Sequence, residues 1–263
     1  MSSKGALLLA TPHEQIDYIG FAKLAAKLVE KHLNIDTHIH IGEVKPGNIR
    51  AFRWHDGSIQ KVPWYNSDRP LAFDISPFDQ TLLIDVDYLT FNNNLKSYFD
   101  NTHEFLCYDQ IWDVTGTNSF RNEETMTRAG FPMRWATVVY FRKCKLAHSI
   151  FEMMKNIQQN WKYYSKFWGF MSGNYRNDFS LSIAHQLQTG YTNNTNVFNH
   201  ALPSLSTDDT IYRVKGSTLY IKYRYGNMYN ALRIKDTNLH CMNKLCLDDP
   251  EIRVPLEEYA NAE

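Results

Sequence analysis

Short, continuously apolar runs separated by amphipathic and polar segments set the pattern of this chain. Residues 5–11 (Gly-Ala-Leu-Leu-Leu-Ala-Thr) form one such run and read as a strand buried on both faces. Pro12 then opens a segment in which Ile16, Ile19, Ala22, Ala26, Leu28 and Val29 recur at helical spacing. Glu14 and Asp17 are expected in its first turn, and the helix should stop near Asn34. Residues 35–41 predict a second strand. Residues 42–70 read as loop, punctuated by Gly42, Pro46, Gly47, Gly57, Pro63 and Pro70. A third strand covers residues 81–89, and Asn92-Asn93-Asn94 caps a short helix to residue 99. Residues 104–114 and 135–141 predict further strands. Between them, residues 115–130 are polar, carry Arg121, Glu123 and Glu124, and read as a mobile loop over a bound substrate. A helix is expected over 145–161 and a hairpin over 210–214 and 217–223, turning at Lys215-Gly216.

At 263 residues the chain can bury a sizeable core, most simply as one α/β domain with an extension. Formal charge balances at zero, so the molecule as a whole has no electrostatic bias toward polyanions. Its distribution is uneven. Residues 134–176 hold eight basic side chains against Glu152 alone, and residues 211–235 hold six with no acid. Both stretches are rich in Tyr, Trp or Phe, a mixture that suits sugars, nucleotides or nucleic acid and is equally expected of solvated faces. The four cysteines have no metal-ligand spacing and are few for a disulfide framework, which favours a reducing compartment. No apolar run reaches about 18 residues and no basic-then-apolar leader opens the chain. A cytoplasmic protein without a membrane anchor is the expectation.

The run over 81–89 ends in two carboxylates one residue apart, Asp85 and Asp87. In an extended segment both would project to the same side. Acids are tolerated at the exposed end of such a strand, or beside cations, and the carboxyl ends of strands in open α/β sheets are where ligands sit. Two hard oxygen donors there suit Mg²⁺ or Mn²⁺, with phosphate oxygens and water filling the remaining positions. A strand running into an Asx-type turn would carry the same residues.

The longer stretch Ser76-Pro77-Phe78-Asp79-Gln80-Thr81-Leu82-Leu83-Ile84-Asp85-Val86-Asp87 resembles the segment that leads into and includes the DxD motif of GT-A glycosyltransferases, the glycogenin-like group among them. The resemblance implies a GT-A, Rossmann-like mixed sheet flanked by helices over residues 1–247; the acidic composition from Asp248 onward reads as a surface or partly disordered tail over 248–263. The resemblance also implies metal-dependent transfer of a sugar from a nucleoside-diphosphate sugar, with Mn²⁺ or Mg²⁺ on Asp85 and Asp87. Thr11, ending the first strand, falls where the family holds the nucleotide base. Arg69 falls where glycogenin-like enzymes carry a basic residue, and its guanidinium can fork onto phosphate oxygens or pair with Asp68 or Asp74 instead. His240 and Lys244 match the family's C-terminal pattern, in which the His completes the metal site and the Lys holds the diphosphate. Asp178 opens a segment like the one where the family presents an acid to the sugar, which makes it the candidate catalytic residue. A helix-capping role explains it equally well. The segment Ala136-Thr137-Val138-Val139 departs from the family's Asn-Ser-Gly-Val, so no sugar-binding role carries over there. The acceptor is open among cytoplasmic proteins, lipid-linked glycans and DNA with hydroxymethylated bases, as some bacteriophage enzymes use.

Two other readings compete. Asp36-Thr37-His38-Ile39-His40 resembles the Asp-x-His-x-His of metal-dependent amidohydrolases, with both imidazoles on one face of a strand. That class needs further ligands at later strand ends, and the remaining histidines do not occupy obvious positions of that kind. The aromatic, basic stretches also allow a non-catalytic carbohydrate- or nucleic-acid-binding module.

Overall fold

The computed structural model describes residues 3–44, 49–53, 59–63, 68–117, 125–126, 131–170, 175–190 and 196–262. The chain opens with β1 (Lys4–Ala10), α1 (Tyr18–Leu33) and β2 (Asp36–Ile41), a parallel strand–helix–strand unit in the expected places. Pro12 does not start the helix. Asp17 caps it five residues later, its carboxylate accepting from the Gly20 amide at 2.8 Å, and Asn34 ends it in the left-handed conformation at φ 52°. Within the span expected to be loop, β3 (Ile49–Arg53) and β4 (Ile59–Pro63) pair antiparallel. Trp54, Trp64 and Tyr65 lie outside the described residues.

A short helix, α2 (Ala72–Ile75), leads into β5 (Gln80–Ile84), which is buried along its whole length, and then β6 (Tyr88–Leu89). The expected strand over 104–114 is two, β7 (Phe105–Tyr108) and β8 (Ile111–Asp113), broken at Asp109-Gln110. Of the polar loop that follows, little is described beyond a pairing of β9 (Thr125–Met126) with β10 (Phe131–Pro132). Next come β11 (Trp135–Arg142), α3 (Lys145–Gln159), α4 (Trp161–Phe167) and α5 (Asn177–Gln188), so the single helix expected over 145–161 ends two residues early and a second one follows.

The main sheet runs β2-β1-β5-β11-β7. Its first three strands are parallel, whereas β11 lies antiparallel to both neighbours, giving the expected mixed α/β sheet. In the parallel part Leu8 stands opposite Ile84, so the carboxyl ends of β1 and β5 reach the same edge. Helices α3 and α5 cover one face through Ile150, Phe151, Met154, Leu181 and Ala184, packed with Leu7, Leu83 and Phe141. On the other face, Leu8 and Ala10 meet Phe21, Ala25 and Leu28 of α1.

The last third adds β12 (Leu202–Leu205), a meander of β13 (Thr210–Lys215), β14 (Thr218–Tyr225) and β15 (Met228–Lys235), then β16 (Leu239–Cys241), α6 (Lys244–Asp248) and α7 (Pro250–Asn261). The expected hairpin turns at Gly216, whose φ of 58° requires a residue tolerant of the left-handed region. A second sheet, β6-β16-β12-β8, lies beside the carboxyl edge of β5 in the chain path. The residues after 248 are not a surface tail. In α7, Ile252, Leu256 and Ala260 are buried against the α1 layer, and Arg253 pairs with Asp17 at 2.7 Å. Acidic composition hid an apolar stripe with helical spacing. Among the described residues, no helix is long and apolar enough to cross a membrane.

Candidate active site

Strand β5 stops at Ile84, and Asp85 to Asp87 form a turn closed by the Tyr88 amide donating to the Asp85 carbonyl at 3.0 Å. The two carboxylates are therefore neighbours through a turn rather than through the pleat of a strand. Three backbone connections fix that turn. The Asp85 amide donates to the Thr137 carbonyl of β11 at 2.8 Å, the Cys241 amide of β16 donates to the Asp87 carbonyl at 2.9 Å, and His240 lies directly across from Tyr88 in the β6–β16 pairing. This last pairing carries a residue 153 positions downstream of Asp87 to its side.

Asp85, Asp87 and His240 each place one ligating atom so that all lie within 4.8 Å of one another. Among the described residues it is the one group of three or more His, Cys, Asp or Glu side chains so arranged. Two carboxylates with one imidazole form a donor set that suits Mn²⁺ or Mg²⁺, so the residues fit the cation implied by the sequence resemblance. Two basic side chains close the group. Arg69 Nη1 lies 2.5 Å from Asp85 Oδ1, and Lys244 Nζ lies 2.5 Å from Asp87 Oδ2. Lys244 is placed by the turn into α6, where the Asn243 side chain accepts from the Cys246 amide and donates to the Asp209 carbonyl at 2.8 Å.

Arg69 is neither on the surface nor paired with Asp68 or Asp74 in the way its sequence neighbours allow. Its side chain is 2% exposed, and its Nε and Nη2 have no hydrogen-bond partner among the described residues. Buried guanidinium donors left unmet are costly, and an anion with two oxygens satisfies them.

The charges interact strongly. Burial, together with the Asp87 and Asp178 carboxylates, pushes Asp85 up to about 7 despite the Arg69 guanidinium. Burial also acts against Asp87, but the Lys244 ammonium and His240 hold it below the usual carboxylate range. Burial, aided by Lys244, keeps His240 below the ordinary imidazole value although Asp87 opposes this. A neutral imidazole is the form that ligates.

Asp178 belongs to the same field, since its charge raises both Asp85 and His240. It lies in the first turn of α5 but does not cap it. Its Oδ1 accepts from the Ala136 amide of β11 at 2.9 Å, and its Oδ2 from Arg176 Nη2 at 3.0 Å. Burial works against ionisation there, and Arg176 with the Ala136 amide overcomes it, leaving Asp178 below its usual range. Arg176 drew attention in the sequence only as one member of a basic stretch, and its place two residues before Asp178 was the available signal.

Thr11 is buried just past β1. A Cβ added to Gly42 would come within 3.3 Å of Thr11 Oγ1 and 2.4 Å of Asp68 Oδ2, so the Gly42 backbone packs tightly against both and a larger residue would displace Asp68. His40 Nε2 is 3.8 Å from the same Asp68 oxygen. Asp68 and Gly42 carried no signal separable from loop composition. His38 is exposed on edge strand β2, and among the described residues neither His38 nor His40 joins a metal-capable group, which disfavours the amidohydrolase reading.

No protein-family model and no curated protein sequence matches the chain. Solved structures with partial likeness are glycosyltransferases. One is the galactosyltransferase LgtC in complex with donor and acceptor sugar analogues, at 14% identity and a TM-score of 0.42, covering 67% of this chain and 69% of that one. Another is GlyE of Streptococcus pneumoniae TIGR4, at 13% identity and a TM-score of 0.41, covering 76% of this chain and 46% of that one. A third is mouse xyloside xylosyltransferase 1, at 14% identity and a TM-score of 0.40, covering 78% and 88%. At such scores the chemistry of this site stands on its own residues.

Proposed function

We propose that the chain is a glycosyltransferase that moves a sugar from a nucleoside-diphosphate sugar, with UDP as the nucleotide to test first, onto an acceptor hydroxyl. One observation carries the reading: Asp85, Asp87 and His240 converge within 4.8 Å at a strand end, flanked by Lys244 and by a buried Arg69 with two unmet donors. Carboxylates and cations so interleaved match a divalent cation and a diphosphate, each of which needs the other to be held in place.

Asp85, Asp87 and His240 would hold Mn²⁺ or Mg²⁺, which when bound offsets negative charge on the diphosphate oxygens. Arg69 directs its Nε and Nη2 donors to phosphate oxygens. Lys244 keeps Asp87 ionised in the free enzyme and meets the charge that grows on the departing diphosphate. Thr11, just past the carboxyl end of β1, would lie beside the nucleoside end. Asp178, held ionised by Arg176 and the Ala136 amide, takes the proton of the attacking hydroxyl as that oxygen bonds to the anomeric carbon. The acceptors to offer are protein, glycan and DNA bearing hydroxymethylated bases.

Thermal unfolding with UDP-sugars and Mn²⁺, added singly and together, tests this. Joint addition should raise Tm beyond the sum of the separate effects, since each ligand completes the site of the other. Purely additive shifts across a panel of nucleotide sugars would remove the donor-site reading.

A further inference from the structure

The meander β13–β15 covers the α1–α7 layer with one face, through Ile211, Val214, Leu219 and Ile221, and turns the other outward. Alternation sorts its residues except at Tyr212, where the β13–β14 register shifts between Ile211 and Arg213. The pairing register sets three rows across the outer face: Lys215, Thr218 and Lys235; Arg213, Tyr220 and Arg233; then Lys222 beside Ala231. Arg224 opposite Tyr229 extends it. Rows are about 7 Å apart along the strands and neighbours within a row about 5 Å apart.

Six cations therefore share one face of the meander, and residues 210–235 contain no acid. Without these six, the chain's remaining 22 basic residues stand against 28 acidic ones, so a molecule of zero formal charge is sharply polarised. Among the described residues, the carboxylate in ion-pair range of the six is Asp236, 3.8 Å from Lys235. Tyrosines lie between the charges. Tyr229 is 70% exposed with Lys222 4.5 Å from its ring centroid, and Tyr212 is 47% exposed beside Tyr220.

We infer that this outer face binds single-stranded nucleic acid, phosphates against the arginines and lysines and unpaired bases on the tyrosine rings. Regularly spaced cations with aromatic rings on one sheet face supply both elements such a strand needs. An anionic membrane would need apolar groups among the cations, whereas the exposed Met228 and Tyr225 belong by alternation to the opposite side of the sheet. The surface stands apart from the transfer reading, because its test measures binding with no donor or cation present.

The test is fluorescence anisotropy of a labelled 20-nucleotide single strand, the matching duplex, and co-sedimentation with phosphatidylserine-containing vesicles, from 50 to 200 mM salt. The single strand should bind more tightly than the duplex, with affinity falling steeply as salt rises. Neutralising Arg213 and Arg233 to Gln should weaken binding at least tenfold and flatten the log–log salt slope by about 1.4, two phosphates at about 0.7 each. Tyr229→Ala should cost at least fivefold at every salt, within the range of about 5- to 150-fold for loss of one stacked base. All three side chains are exposed, and an unchanged melting curve verifies folding; Lys222→Gln offers a separate charge variant. Wild-type affinity in these variants, duplex bound as tightly as the single strand, or capture by vesicles alone would overturn the inference.

Discussion

Lys244→Ala isolates the group assigned to the leaving diphosphate. In the free protein Lys244 Nζ sits 2.5 Å from Asp87 Oδ2, with its side chain 26% exposed and that of Asp87 only 5% exposed. An ion pair near 4 Å at an effective dielectric of 20 is worth about 4 kcal/mol. Removing one preorganised group that meets developing charge costs about 2.7–4 kcal/mol. On the second figure, kcat should fall roughly 100- to 1,000-fold while binding of free nucleoside is unchanged. A second effect follows from the same contact. Lys244 leads the charges that hold Asp87 below the usual carboxylate range, so its loss lets Asp87 protonate at higher pH. The acidic limb of the kcat/KM profile, which Asp85 at about 7 sets, should therefore move upward, since Lys244 also lowers Asp85 and activity needs both carboxylates ionised. The assay is release of nucleoside diphosphate from a saturating donor between pH 5 and 9, with Lys244→Arg as the charge-conserving control. A raised KM at unchanged kcat would mean that Lys244 holds ground state and transition state equally. Unaltered kcat, KM and pH profile would place Lys244 outside the active site.

Asp87→Ala should abolish both transfer and donor hydrolysis with little change in melting, because the residue lies in a turn beyond β5, while His38→Ala should leave activity intact. An essential His38 with a dispensable Asp87 would revive the amidohydrolase reading. Leu256→Ala should lower the unfolding free energy in urea by about 2–5 kcal/mol, as expected for a fully buried leucine, and a loss below about 1 kcal/mol would mean α7 is not docked. His185 is buried, neither ring nitrogen has a hydrogen-bond partner among the described residues, and burial with the Arg134 charge lowers its pKa to about 3. The unfolded chain then binds an extra proton below about pH 6.5, so stability should decline as pH falls from 6.5 toward 3. His185→Leu should flatten that limb in pH-dependent melts, and an identical limb in wild type and variant would refute the assignment.

The acidic end of the candidate site was legible because it is local. The apolar run before Asp85 and Asp87 signals a buried strand ending in acids, and that strand does end there. His240 and Lys244 were visible as types in an order, yet their approach to Asp87 depends on the β6–β16 pairing, which joins strands of two and three residues too short for periodicity to reveal. Asp178 was singled out, but its partners were not. Its bond to the Ala136 amide exists because β11 runs antiparallel beside β5, a long-range choice that residue patterns leave open. Arg69 was singled out with a phosphate or Asp68 and Asp74 as its alternatives, yet its burial and its pairing with Asp85 come from packing that the sequence leaves open. Strand β15 was missed because charged residues alternate with Leu232 and Ile234 only toward its end. Helix α7 was missed because composition was weighed before spacing.

The chain length between Asp87 and Lys244 also sets a clock. A ribosome adding roughly 5–20 residues per second needs on the order of ten to thirty seconds to pass from one to the other. Through that interval β1, α1, β2 and β5 are already made, yet Asp87 lacks Lys244, His240 and the Cys241 amide. The turn's acids must wait in solvent for β16 to arrive. Nascent chains stalled before residue 240 should therefore retain no donor, whereas chains released past α6 should acquire it in a single step.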